Sequence, residues 1–364
     1  MKIKSFKAKN FRNIEECNIE FSPGVNLLYG KNAEGKTNIL EGIYVFSRGR
    51  SFRAREDSEM ARFSEGGFNI KIEYETLLGE ESLEYSLFGK ERLRKKNGYK
   101  ISKIIDFVGN LKAVLFYPDN MNLVKGSPEE RRSFLNIAIS QYDPLYIKYY
   151  QSYKKTLENR NCTLKLLQKG SFVDIEELRA WSRTLSEYSS YIYLMREEYI
   201  ERLKHYSSIF SLDISGGREN ITLSYECDIE NGLRDKDTIR EKYEKKFSES
   251  IEREISAGTT LYGPHRDELK IDINGKDSRL FASQGQQRSI VLSLKLSEGE
   301  IIKEVFGEYP VFLLDDVLSE LDSDRRKYLI DKKGEKQIII TSCQSEELRA
   351  IADKTIEVSG GRYL

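Results

Sequence analysis

The chain has 364 residues, more than a single hydrophobic core usually spans, so two lobes are expected. Lys plus Arg and Asp plus Glu both total 59, a formal net charge of zero; any contact with a polyanion must therefore come from local clusters of cations. No apolar run approaches the roughly 20 residues that cross a bilayer, Met1 to Asn10 alternates lysine with apolar residues unlike a signal peptide, and four cysteines without a CxxC pair beside two histidines argue against structural zinc and fit a reducing cytoplasm.

In chain order, Ile3 and Ser5 between Lys2 and Lys4 begin a strand. Gly24 to Tyr29 is a short apolar run that stops at Gly30. From Thr37 the spacing turns helical, with Ile39, Leu40, Ile43, Tyr44 and Phe46 recurring at three and four. Alternation at Phe68 to Tyr74 and Leu83 to Phe88 predicts strands. Lys90 to Lys103 is basic and holds an Asn97-Gly98 turn signal, so a hairpin is expected there. Pro128 to Tyr206 is rich in Leu, Tyr, Glu and Lys, with two long helical patterns broken near Gly170 and Asp174 placed to cap the second. Another helix is expected over Asp237 to Glu254, after which strands return. This gives an α/β chain divided as residues 1–110, an inserted mostly helical arm over 111–256, and residues 257–364 completing the first lobe.

The segment Gly30-Lys31-Asn32-Ala33-Glu34-Gly35-Lys36-Thr37 matches the phosphate-binding P-loop pattern in full. Gly30 and Gly35 permit backbone angles that let amides from Lys31 to Glu34 point at phosphate oxygens. Lys36 supplies a cation for the β- and γ-phosphates, and Thr37 a hydroxyl for Mg²⁺. The helix that begins there adds its positive end. The implied ligand is ATP with Mg²⁺.

Val311-Phe312-Leu313-Leu314-Asp315-Asp316 is an apolar strand ending in two carboxylates. At the carboxyl end of a buried parallel strand, Asp315 would share the metal with Thr37. Asp316 would orient or deprotonate the attacking water, so Asp316 and Lys36 are the catalytic candidates. Phe281-Ala282-Ser283-Gln284-Gly285-Gln286-Gln287 precedes an apolar-spaced helix. Ser283 reads as its N-cap, with backbone amides exposed around Gly285.

Taken with Asn10-Phe11-Arg12-Asn13, Gly49-Arg50-Ser51-Phe52-Arg53, Phe116-Tyr117-Pro118-Asp119, Leu123 to Pro128, Arg131 to Leu135 and Gly263-Pro264-His265-Arg266-Asp267-Glu268-Leu269, the chain resembles the RecF family of bacterial gap-repair ATPases over nearly its whole length. The resemblance implies an ABC-type (P-loop) ATPase head with an inserted helical lobe. It implies that Ser283, Gly285 and Gln286 form the signature that reaches the γ-phosphate held by a second subunit, which needs a two-fold homodimer formed on ATP. Leu318 to Asp322 resembles the D-loop that crosses such an interface. It further implies slow ATP hydrolysis used as a switch, sequence-independent binding to DNA at single-strand/double-strand junctions, and action with RecR- and RecO-type mediators to load recombinase. Two departures stand out. Gln284 occupies a position where transporter-type relatives carry Gly, and the second acidic residue is Asp316 rather than Glu. Ser342 stands where a histidine switch is expected, consistent with slow hydrolysis.

The basic candidates for DNA contact are Lys90, Arg92, Arg94, Lys95, Lys96, Lys100 and Lys103 in the hairpin, with Arg48, Arg50, Arg53 and Arg55. Arg53 resembles the arginine that links DNA to nucleotide in related ATPases. Two other readings compete. A structural DNA tether of the SMC type needs hundreds of coiled-coil residues, against an arm of about 80 here. The ATPase subunit of a nuclease works beside an additional acidic metal cluster.

Overall fold

The computed structural model describes residues 1–172, 174–331, 334–343 and 346–363. The chain opens with strands β1 (Lys2–Phe11), β2 (Ile14–Glu20) and β3 (Val25–Tyr29), then helix α1 (Lys36–Arg48). Strands β4 (Gly67–Thr76), β5 (Gly79–Phe88), β6 (Glu91–Lys96), β7 (Tyr99–Ile101) and β8 (Ala113–Phe116) follow. Helices α2 (Asn122–Lys125), α3 (Pro128–Tyr142), α4 (Pro144–Gln168) and α5 (Ile175–Ser215) lead to β9 (Ile221–Glu226) and α6 (Lys236–Ala257). The remainder is β10 (Glu268–Ile273), β11 (Lys276–Asp277), α7 (Ser278–Phe281), α8 (Gln284–Phe306), β12 (Val311–Asp315), α9 (Ser323–Asp331), β13 (Ile338–Ser342), α10 (Glu346–Arg349), β14 (Lys354–Ser359) and β15 (Arg362–Tyr363).

Two compact units result. The first comprises residues 1–121, 206–219 and 283–364. It holds an antiparallel sheet of order β2-β1-β4-β5-β6-β7 and a second sheet of order β15-β14-β3-β13-β12-β8, parallel from β14 to β8. In β12, Leu313 joins the core shared with α1 and the antiparallel sheet, while Phe312 and Leu314 join the core under α8. A strand covered on both faces explains why Val311 to Leu314 is apolar throughout rather than alternating. The Asn97-Gly98 turn has positive φ at both residues, 51° and 82°, the geometry of a two-residue hairpin turn.

The second unit comprises residues 122–205 and 220–282. Pro144 starts α4 behind an Asp143 cap that accepts from the Leu145 amide at 3.0 Å. Gly170 takes φ 72°, and Asp174 accepts from the Glu176 amide at 2.9 Å, so the expected break and cap are both present. At 41 residues, α5 is about 60 Å long at 1.5 Å per residue; its residues 175–205 belong to this unit and 206–215 to the first. A three-stranded sheet of order β11-β10-β9 also belongs here. Its strand β9 alternates at Ile221, Leu223 and Tyr225, a strand not among those expected from the sequence.

The unit boundaries differ from the expected 1–110, 111–256 and 257–364. Strand β8 pairs in parallel with β12 inside the first unit, and β10 pairs with β9 inside the second. A four-residue apolar run such as Ala113 to Phe116 carries no period that assigns it to either lobe; its partner strand decides.

The Gly263-to-Leu269 motif is framework of the second unit. Arg196, buried, donates to the Pro264 carbonyl at 2.6 Å and to Asp267 at 3.1 Å. Tyr225 also donates to Asp267. Arg131 grips Glu268 through two bonds of 2.7 and 2.8 Å, and Arg160, fully buried, meets Glu254 at 2.6 Å and Thr260 at 2.8 Å. Buried arginines need such complete partner sets, which fix one packing.

Candidate nucleotide site

The P-loop joins β3 to α1 at the carboxyl edge of the parallel sheet. A Cβ on Gly30 would lie 2.1 Å from the Val358 carbonyl oxygen, so only glycine lets the loop pass this close to β14. Gly35 has φ 109°, and a Cβ there would strike Asn13 at 2.6 Å. Ala33 is also left-handed, φ 67°, a conformation that a side chain tolerates only where the surroundings impose it. Alternating handedness turns successive amides toward one concavity, an anion-binding arrangement.

Lys36 is 7 % exposed. Its ammonium donates to the carbonyls of Gly30 and Lys31 at 2.8 and 2.7 Å, and to Cys343 Sγ at 3.7 Å. The cation is thus held across the mouth of its own loop. Asn13 donates to the Glu34 carbonyl at 3.2 Å, Asn38 to Asn13 at 2.7 Å, and Arg53 to Asn38 at 3.0 Å. Glu41, fully buried, takes two bonds from Arg12 at 2.9 and 2.5 Å, a third from Ser51, and lies 3.8 Å from Arg53. Arg53 is therefore connected to the phosphate loop by side-chain contacts that sequence spacing does not reveal.

Thr37 Oγ1 donates to Asp315 Oδ1 at 2.8 Å. Thr341, on the neighbouring strand β13, donates to the same oxygen at 2.9 Å and accepts from the Asp316 amide at 3.0 Å. Burial pushes the Asp315 carboxyl above its ordinary range, against the two hydroxyls and Arg53 that pull it down. Asp316 has φ 54°, a left-handed turn that Asp tolerates better than most residues. Its Oδ2 lies 4.0 Å from Cys343 Sγ, and that thiol donates to Asn32 Oδ1 at 2.5 Å. Just after β13, Cys343 reaches the phosphate loop, and Ser342, at the expected switch position, is 3 % exposed within the strand.

Ser283 caps α8. Its Oγ accepts from the Gln286 amide at 3.3 Å, and the Gln286 side chain accepts from the Ser283 amide at 2.9 Å, a capping box. These bonds leave Gly285 flanked by the guanidinium of Arg325, 3.8 Å from where a Cβ would stand. Arg325 donates to Ser289 of α8 at 2.8 Å, pairs with Asp322, and lies 3.8 Å from Glu219. It ties the loop after β12 to the start of α8, a role that no local sequence pattern marks. The side chain of Glu320 lies outside the described residues. The structure joins Lys36, Thr37, Asp315, Asp316 and Cys343 in one bonded group, while Ser283 and Gln286 bond to each other.

The hairpin cations have local partners. Arg92 pairs with Asp57, Lys95 with Glu84 at 3.1 Å, and Lys96 with Glu81 at 2.9 Å. Arg94 lies over the Tyr85 ring at 4.9 Å. Lys90, Lys100, Lys103, Arg50, Arg53 and Arg55 are exposed, while Arg48 is half-buried at the end of α1.

The chain matches the family described as the RecF/RecN/SMC N terminal domain over residues 2–362. It is 40% identical over 362 residues to the DNA replication and repair protein RecF of Clostridioides difficile, covering 98% of this chain and 96% of the relative. It is 37% identical over 363 residues to the protein of that name from Desulfitobacterium hafniense, covering 100% and 99%. The solved structure of the recombination mediator protein RecF with ATP, of the RecFOR pathway, matches with a TM-score of 0.92 at 36% identity, covering 100% of this chain and 97% of that one. A companion structure with ATPrS gives 0.93 at 36%, covering 99% and 97%. Among the described residues, no helix is long and apolar enough to cross a membrane. A P-loop sequence, an acidic strand tip and a capped helix α8 on this fold, with full-length likeness to curated relatives, place the chain in the RecF family of DNA replication and repair proteins, ABC-type ATPases of the RecF/RecN/SMC group.

Proposed function

We propose that the chain binds ATP with Mg²⁺ and uses it to switch DNA binding during recombinational gap repair. The observation that carries this reading is the 2.8 Å bond between Thr37 and Asp315. It sets a hydroxyl and a carboxylate side by side at the foot of the P-loop, a donor set of hard oxygens that suits Mg²⁺. Bound there, Mg²⁺ would neutralise charge building on the β- and γ-phosphate oxygens.

The chain's own residues supply the rest. Amides from Lys31 to Gly35 cradle the phosphates, and Lys36 exchanges its loop carbonyls for phosphate oxygens. Asp316 receives the proton of the water that attacks the γ-phosphorus as the bond to the β-phosphate oxygen breaks. Its short side chain, and Ser342 at the position where a histidine switch is expected, support slow turnover. Ser283, Gly285 and Gln286 would close the site from a partner copy, so that ATP favours a two-fold dimer by mass action.

DNA binding is sequence-independent in this reading, directed to single-strand/double-strand junctions, and works with RecR- and RecO-type mediators to help load recombinase in the cytoplasm. The test is affinity for a gapped duplex of mixed sequence, with and without ATP–Mg²⁺, across salt concentrations. Tighter binding with ATP and a steep loss with salt are expected; affinity indifferent to nucleotide would overturn the switch.

A further inference from the structure

We infer that the solvent face of α4 is a binding surface for the phosphate backbone of duplex DNA, carried by Lys148, Lys154, Lys155, Lys165 and Lys169. This rests on the reading of the chain as a DNA-binding protein and adds a surface that the hairpin and Arg50–Arg55 do not include.

All five lysines are exposed, and Glu158 is the only acidic residue from Pro144 to Lys169. Among the described residues none of the five is in an ion pair. The other long helices of this unit behave differently. On α5, Arg179 pairs with Glu176, Arg202 with Glu198, and Lys204 with Glu201. On α6, Arg240 pairs with Asp237 and Lys245 with Glu249. A zero net charge is thus reached by neutralising most helix surfaces locally and leaving α4 unbalanced.

Helix energetics do not explain the excess. Cations stabilise the last turn of a helix, which accounts for Lys165 and Lys169. Lys148, Lys154 and Lys155 lie in the first half, where the macrodipole gives them nothing. The opposite face of α4 supplies the packing, through buried Tyr146, Tyr153, Thr156, Arg160 and Leu164. The charged face is therefore free of structural work.

The dimensions suit a duplex. Lys148 and Lys155 stand seven apart and so in one row, and Lys169 follows at the C-cap of the helix. From Lys148 to Lys169 the helix runs about 31 Å at 1.5 Å per residue, the length of about nine base pairs. Lysines are flexible point charges that read no bases, so the surface would position DNA without sequence preference.

The test uses the full chain with ATP–Mg²⁺ and a gapped duplex of mixed sequence. In Lys148→Gln/Lys154→Gln/Lys155→Gln, affinity should fall at least about tenfold at moderate salt. The slope of log affinity against log salt should drop by about 2.7, three contacts at ~0.9 each. The corresponding triple Arg variant should bind like the wild type, and ATP binding should be unchanged in both. A Gln variant with wild-type affinity and slope, while the wild type binds, overturns this inference alone. So does an Arg variant that binds no better than the Gln variant. A wild type that binds no duplex overturns this inference together with the reading beneath it.

Discussion

Thr37 donates its hydroxyl to Asp315 across 2.8 Å, although 278 residues separate them. The contact joins the two halves of the candidate nucleotide site because β3 and β12 flank β13 in one parallel sheet, which brings the start of α1 beside the tip of β12. Thr341 on β13 bonds to the same carboxylate oxygen. A carboxylate buried this way costs stability until a cation joins it.

Asp315→Asn should therefore stabilise the nucleotide-free protein and abolish its response to ATP–Mg²⁺. With its carboxyl raised above the ordinary range, Asp315 favours folding only while protonated. That contribution is present below the unfolded carboxylate range and is lost as pH rises through the raised folded value. At neutral pH the amide should gain about 1 kcal/mol, the scale of a single stabilising substitution. Thermal melts of both proteins with and without ATP–Mg²⁺ check this; a variant less stable than the wild type without nucleotide contradicts it.

Lys36→Ala should leave the fold intact and weaken ATP binding by at least about 100-fold. The ammonium holds two loop carbonyls and touches the exposed Cys343 thiol, so its loss removes charge-assisted contacts worth about 1.5–3 kcal/mol each. Calorimetric titration gives the answer, and unchanged ATP affinity would remove Lys36 from the site.

Ser283 has a local role as well as the proposed one, and two substitutions separate them. Ser283→Ala deletes the cap and should cost about 1 kcal/mol of stability. Ser283→Arg deletes the cap too, but should also block ATP-dependent dimerisation, at near-normal ATP affinity of the monomer, because a bulky cation would stand at the seam. Sedimentation velocity with ATP is the measurement. If the Arg variant dimerises as the Ala variant does, Ser283 is a helix cap only.

Cys162 and Cys343 are the exposed cysteines among the four. Cys343 touches Asn32 and Lys36 in the phosphate loop, whereas Cys162 lies on α4. A thiol reagent should label both in the free protein, and ATP–Mg²⁺ should slow labelling of Cys343 about tenfold or more while sparing Cys162 as an internal control. Mass spectrometry of the peptides reads the rates. Equal rates at Cys343 with and without ATP would place the nucleotide elsewhere.

His265 links the second unit to pH. Its ring lies 2.6 Å from the Tyr153 hydroxyl and 3.2 Å from the Thr260 carbonyl. Burial, with Arg266, Arg132 and Arg196 nearby, lowers its pKa to about 4. The unfolded chain takes that proton near its ordinary value of 6.5, so stability is lost as pH falls across that interval, by about 3 kcal/mol at its acid end. Urea unfolding of the wild type and His265→Gln at neutral and acidic pH should show the gap between them narrowing or reversing with acid. A constant gap would mean that His265 does not titrate with unfolding.

The sequence by itself determined the chemistry that lies in contiguous stretches. Gly30 to Thr37 reads as a phosphate loop because each residue would act through its own backbone or side chain. Val311 to Asp315 announces a doubly covered strand, and Ser283 with Gln286 writes a helix cap within four residues. Periodicity likewise showed long helices over Pro128 to Tyr206 and the break at Gly170, but not the break at Asp143 that separates α3 from α4. What joins distant segments was decided only by the tertiary structure: β8 as the partner of β12, the division into units, and the sheet that β9 forms with β10. It also decided that Cys343 reaches Lys36, that Arg325 brackets the start of α8, and that Arg92, Lys95 and Lys96 of the hairpin are already paired. Pairing energies between strands or charges depend on which partner arrives, and a one-residue change of register reverses every side chain. Local sequence carries the capacity for these contacts, and the fold selects among them.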